Sequence, residues 1–142
     1  MPIKNYTTQI DYFKTIAEIE KCLVEHHALY INKKYEGILP VALYFMIIKD
    51  EIPYNFKLPI RWQATLKILE KAKIPLKFQN KEQSIRVSWR IIKDWITAQM
   101  AIVETEMVEM EQVFLPYLID QEKRTLFDRL KDNNQLKKLT GS

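Results

Sequence analysis

Apolar residues recur at spacings of three, four and seven in the C-terminal half of the chain: Ile85, Trp89, Ile92, Ile96, Val103, Met107, Met110 and Phe114. That is the period of one α-helix face. The 40 residues from Leu76 to Leu115 contain neither Gly nor Pro, so no breaker interrupts a helix from Glu82 to Phe114. Asn80 and Gln83 have the spacing of a capping box at its start, and Pro116 ends it. At about 1.5 Å per residue this rod is roughly 50 Å long. A small domain is about 30 Å across, so the pattern predicts a helix that overhangs its own domain unless it breaks or meets a partner.

The N-terminal half has a mixed pattern. Tyr6 to Ile10 is β-prone and predicts a short strand. Phe13, Ile16, Ala17, Ile19, Leu23 and Val24 predict a helix from Tyr12 to His27, with Asp11 as its N-cap. Leu29 to Ile31 reads as a strand leading to a turn at Tyr35-Glu36-Gly37. Val41 to Ile48 reads as a buried strand, Lys49-Asp50-Glu51 as a hairpin turn, and Ile52 to Leu58 as its return. Tyr54, Phe56 and Leu58 share one face of that return strand. Pro53 assigns it to a sheet edge or a bulge. A helix from Trp62 to Ala72 follows and stops before Pro75, and a short last helix spans Arg124 to Lys131. The fold class is therefore α+β: a small antiparallel sheet with an N-terminal helix, then a helical C-terminal half containing one long helix. One domain covers residues 1–142, with an α+β part at 1–79, a helical part at 80–132 and a polar, fraying tail at 133–142.

The long helix carries a second apolar row, Ile91, Trp95, Ala98 and Ile102. Apolar surface on about half a circumference exceeds what one packing face requires. The helix is then either enclosed between sheet and neighbouring helices, or packed on one side against a second copy. Its polar sector runs Arg86, Arg90, Lys93 and Thr97, then Glu104 and Glu111. Basic residues near the start and acidic ones near the end oppose the helix dipole. Two antiparallel copies would match basic half to acidic half, which makes Ile91, Trp95, Ile102, Glu104 and Glu111 candidates for self-association. Alternatively Arg86, Arg90 and Lys93 form an anion site near the helix N-terminus, with Trp89 beside them. An ordinary solvated face is the third reading.

Composition narrows the classes. Of 142 residues, 47% are hydrophobic and 28% charged, the balance of a folded globular domain. The net charge of +4 permits an anionic partner without requiring one. It is uneven: residues 1–100 hold 16 Lys/Arg against 10 Asp/Glu, and residues 101–142 hold 6 against 8. Two glycines exclude a Gly-rich phosphate cradle, and none of the common catalytic motifs occurs. The single Cys22 excludes an internal disulfide and a Cys-rich zinc site, and the adjacent His26 and His27 diverge on a helix. No cofactor, metal site or catalytic residue is expected. The longest nearly apolar run, Ile38 to Ile48, is 11 residues including Pro40, too short to span a bilayer. No signal-peptide core is apparent. The expectation is a protein of the cytoplasm with no membrane partner. Tyr30, Tyr35, Tyr44, Tyr54, Phe56 and Trp62 interleave with Lys33, Lys34, Lys57 and Arg61, a composition that can stack on and neutralise a single strand, although sheet aromatics more often belong to a core.

Several segments together have a familiar look: Tyr6-Thr7-Thr8, Leu58-Pro59, the run from Arg86 to Trp95, Ala98-Gln99, the run from Val113 to Tyr117, and Thr125-Leu126. The chain resembles a family of small uncharacterised proteins encoded by phages and prophages of Gram-positive bacteria. His27 stands where that family is expected to have Gly. The resemblance implies a phage setting within the host cytoplasm and assigns no activity. With the basic first 100 residues, it leads to the expectation of a non-enzymatic accessory protein. Such a protein would bind nucleic acid or a host nucleic-acid-handling complex, as a host-defence inhibitor or a replication or recombination accessory. Two other expectations are a dimer that sequesters a small anionic nucleotide on Arg86, Arg90 and Lys93 with Trp89 or Trp95 stacked on its base, and a homo-oligomeric structural or assembly protein.

Overall fold

The computed structural model describes residues 3–141. Helix α1 (Tyr12–Glu25) precedes strands β1 (Tyr30–Glu36), β2 (Leu39–Lys49) and β3 (Ile52–Pro59). Helices α2 (Trp62–Lys71), α3 (Lys81–Glu104), α4 (Met110–Phe114), α5 (Leu126–Asp132) and α6 (Gln135–Leu139) follow. The sheet is antiparallel in the order β1-β2-β3. The expected α+β architecture is present, with its N-terminal helix, small antiparallel sheet and long helix.

Local chemistry sets the boundaries. Asp11 caps α1, its carboxylate accepting from the Phe13 N–H at 2.8 Å. The helix closes on a Schellman pair, Ala28 N–H to Leu23 O and His27 N–H to Val24 O. His27 adopts φ 76° there, the left-handed conformation for which glycine is the ordinary residue. In the β2–β3 hairpin Asp50 and Glu51 both have positive φ, 52° and 66°, as a two-residue turn matched to strand twist requires. β3 carries Pro53 at the sheet edge, as the sequence indicates.

The segment from Tyr6 to Ile10 is not a strand. A turn over residues 4–7, with the Thr8 N–H bonded to Asn5 O at 3.0 Å, leads into irregular chain. Gln83 accounts for the difference, because its side-chain amide donates to Tyr6 O at 2.8 Å and Thr8 O at 3.0 Å. Carbonyls satisfied in this way have no need of a sheet partner. Asn80 does cap α3, accepting from the Gln83 N–H at 2.8 Å, but Gln83 gives its amide to the N-terminal segment and the capping box is one-sided. At the other end, residues 135–139 form a short helix within the segment expected to fray.

The larger correction concerns the long helix. It ends at Glu104, not Phe114, and is about 36 Å long at 1.5 Å per residue. The Thr105 hydroxyl donates back to Ile102 O at 2.6 Å, and Glu106 turns left-handed at φ 62°. Glu104, Glu106, Glu109 and Glu111 would crowd the negative end of a longer helix, whose last turn holds no basic residue. The break puts Glu109 and Glu111 at the positive end of α4, where Glu109 and Gln112 form a full capping box. Lys49 at the hairpin holds both carboxylates, at 2.7 and 2.9 Å.

The core lies between α1, α3 and one face of the sheet. Ile16, Ile19 and Leu23 of α1 meet Ile85, Trp89, Ile96 and Met100 of α3 and Leu43, Phe45, Phe56 and Leu58 of the sheet. α2 covers another side of α3 through Leu69 and a Ser88–Thr65 hydrogen bond at 2.8 Å. The expected stripe is thus split. Its first part is core on α3, Met107 is exposed at the bend, and Phe114 returns to the core from a separate helix. Phe114 is wholly buried, with ring centroids 4.9 Å from Phe45, 5.7 Å from Phe56 and 5.6 Å from Trp95. The chain covers its own surplus apolar surface by folding back.

Two stability changes follow. Phe114→Ala leaves a cavity shared by three rings and lowers unfolding free energy by about 3–5 kcal/mol; a loss below about 1 kcal/mol in urea denaturation would refute the packing role. His27→Gly relieves a left-handed strain of roughly 1–2 kcal/mol against a glycine entropy cost of about 0.5–1 kcal/mol. A net stabilisation of about 0.5–1 kcal/mol in the same assay is expected, and destabilisation would contradict it.

Candidate functional site

The polar sector of α3 is occupied from within the chain. Arg90 reaches Glu18 of α1 at 3.0 Å, and Lys93 reaches the same carboxylate at 3.7 Å. Arg86 donates from Nε to the Gln83 amide oxygen at 2.9 Å and lies 3.4 Å from Glu82. At the far end Glu104 meets His26 at 2.9 Å. Glu111 has left the helix and holds Lys49 at 2.9 Å. Charges expected to complement a second copy are therefore complemented by α1 and the hairpin. Trp89 is completely buried, and its Nε1–H donates to Pro40 O at 3.1 Å, so it offers no face to a ligand. Trp95 stacks edge-on against Phe114 and Tyr117. Ile91 and Ile102 are half-buried along α3. Cys22 is half-buried, and burial pushes its thiol pKa up, the opposite of an activated nucleophile.

The open chemistry lies on the other face of the sheet. Strand register places residues in three rows across it. Tyr30, Met46 and Asn55 form the first, Asn32, Tyr44 and Lys57 the second, and Lys34, Ala42 and Pro59 the third. Alternation sends their neighbours inward, where Ile31 packs on the core and Lys33 meets Glu20 of α1 at 2.9 Å. Above these rows is a groove of about 800 Å³, bounded on the β3 side by Ile119 and Lys123.

The C-terminal segment builds that boundary. Leu118 forms an isolated bridge with Phe56, and the Ile119 N–H donates to Asn55 O at 2.9 Å. The following turn is fixed by Asp120, whose carboxylate accepts from the Glu122 and Arg124 N–H groups at 2.9 and 3.0 Å. The turn delivers Lys123 to the Tyr44 ring, 5.7 Å from its centroid, while Lys57 stands 5.9 Å from the same centroid.

The groove lining contains no carboxylate, imidazole or thiol. Lys34, Lys57 and Lys123 have no ion-pair partner among the described residues, and the side-chain amides of Asn32 and Asn55 make no hydrogen bond to them. Tyr30 is 71% exposed. The ensemble is a positive, partly aromatic trough with free amides, equipped to hold a flat anionic ligand.

The interleaving of aromatics and lysines in the sequence is thus sorted by strand alternation. Tyr30, Tyr44, Lys34 and Lys57 share the groove face. Phe56 is core, while Tyr54 and Trp62 pack against the core and Tyr35 lies near Phe13 of α1. Asn32 and Asn55 escaped notice, although two-residue periodicity places them beside the tyrosines. Lys123 had no local signal, since only the tertiary return brings it there.

Backbone donation from Arg124 first, then from Glu122, holds the Asp120 carboxyl below the usual carboxylate range. Its depressed folded value means that the turn is fully supported above the ordinary pKa near about 3.9 and loses support as pH falls through the folded value. The Glu122 and Arg124 amide shifts should titrate together with a midpoint below about 3.9; a midpoint at or above that value removes the proposed anchoring.

No family model, curated protein or solved structure matches the chain. Among the described residues no group of three or more His, Cys, Asp or Glu is arranged to hold a metal ion, and no helix is long and apolar enough to cross a membrane.

Proposed function

We propose that the chain is a non-enzymatic phage accessory protein that binds single-stranded nucleic acid along the open face of its sheet, alone or as carried by a host nucleic-acid-handling complex. The observation that carries this reading is the set of three lysines without acidic partners around Tyr30 and Tyr44. Lysines held away from carboxylates keep their charge for phosphates. Three strands at about 4.8 Å spacing give a face roughly 10 Å across, a width suited to one strand more than to a duplex. The exposed ring of Tyr30 supplies a stacking surface that any base can use. The basic sector of α3 supports the reading less, because Glu18 and Glu82 already neutralise much of it.

Fluorescence anisotropy with labelled single-stranded DNA and RNA tests this. With three phosphate contacts the logarithm of the affinity should fall against the logarithm of salt with a slope of about −2. Tyr30→Ala should weaken binding by about 1–3 kcal/mol, the usual worth of one stacked base. Absence of binding to either strand type at low salt, or equal affinity of the Tyr30 variant, overturns the proposal.

A further inference from the structure

The three rows divide the groove chemically. Lys57 and Lys34 project from rows two and three respectively, and Lys123 joins Lys57 at the Tyr44 ring. All the cationic groups of the face therefore lie on one side of the Tyr30–Met46–Asn55 row. That row has no charge. It offers a polarizable thioether floor, an exposed phenol ring and a free amide. Adjacent same-face rows are two residues apart, about 6.6 Å, comparable with the step of an extended sugar–phosphate chain. A strand with phosphates on the lysines therefore lays a base over Met46, against Tyr30.

The two free amides flank that position from opposite strands, Asn32 on β1 and Asn55 on β3. An asparagine amide pairs one donor with one acceptor, and its bidentate match is a base edge presenting the reverse. Two amides on two sides ask for a base with such an edge twice. Adenine has both, N1 with N6–H on one edge and N7 with N6–H on the other. Guanine also has two, N1–H with O6 and N2–H with N3, whereas a pyrimidine can complete only one at a time.

We propose that the groove is a purine-selective single-strand site, with Lys34, Lys57 and Lys123 on phosphates and Asn32 and Asn55 on the two edges of one stacked base. This rests on the single-strand reading above and adds base selection to it. The test compares oligo(dA), oligo(dA) carrying 7-deazaadenine, oligo(dT) and oligo(dC) of equal length by anisotropy across a salt series. Oligo(dA) should bind about 5–100-fold tighter than the pyrimidine strands, and the 7-deaza strand should lose much of that advantage. Both asparagines are exposed, so the Asn32→Ala/Asn55→Ala double variant should keep its melting temperature. It should equalise the strands and leave the salt slope intact. Lys57→Gln/Lys123→Gln should reduce the slope by about 1.4 for every strand and preserve the ratio between them. Equal affinity for all strands with the salt slope present, or a ratio unmoved by the asparagine variant, overturns base selection alone. Loss of all binding by the unmodified protein overturns the single-strand reading itself.

Discussion

The packing of Phe114 against Phe45, Phe56 and Trp95 is the contact on which the rest of the molecule turns. It joins the helical half to the sheet and fixes the direction in which the chain leaves α4. From there Leu118 and Ile119 run beside β3, and Lys123 arrives over Tyr44. The same ring covers Trp95, so one side chain both closes the core and aims the segment that completes the groove. A fully buried aromatic triad has the rigidity this needs, because close-packed interiors resist small displacements.

The charge pattern of the chain is partitioned by the same folding. Carboxylates of α1 and α4 consume the cations that face the interior side: Glu18 takes Arg90 and Lys93, Glu20 takes Lys33, and Glu109 with Glu111 takes Lys49. Glu36, the acidic residue of β1, reaches Lys81 of α3 at 3.5 Å. Lys34, Lys57 and Lys123 keep no acidic partner among the described residues and share one face. A modest net charge of +4 can in this way produce a local field stronger than the composition suggests, since exposed pairs cancel over the Debye length of about 10 Å.

Much of the fold was legible because it is written locally. Asp11 and Asn80 mark helix starts by their caps, and the hairpin is announced by Lys49-Asp50-Glu51 between two β-prone runs. The end of α3 was harder. Its stop has no Gly or Pro and depends on a threonine hydroxyl and four repelling carboxylates, a signal that period counting overlooks. The apolar period even continues through the bend, because Met110 and Phe114 serve the same core from another helix. For the groove, residue types were visible and their faces were not. Tyr44 and Tyr54 are alike in sequence, and only register separates the groove wall from the core flank. Lys123 depends wholly on tertiary structure.

The bend from Thr105 to Glu109 has a consequence for how the protein can be taken apart. Its residues are mostly exposed, and the contacts joining its two sides belong to Phe114, Lys49 and the Leu118 bridge. Covalent continuity there contributes proximity and little else. The polypeptide is in effect two interlocking fragments, one holding the sheet and the other the lysine-bearing turn. A cut in the bend would break none of these contacts, which makes it a natural place for new chain termini.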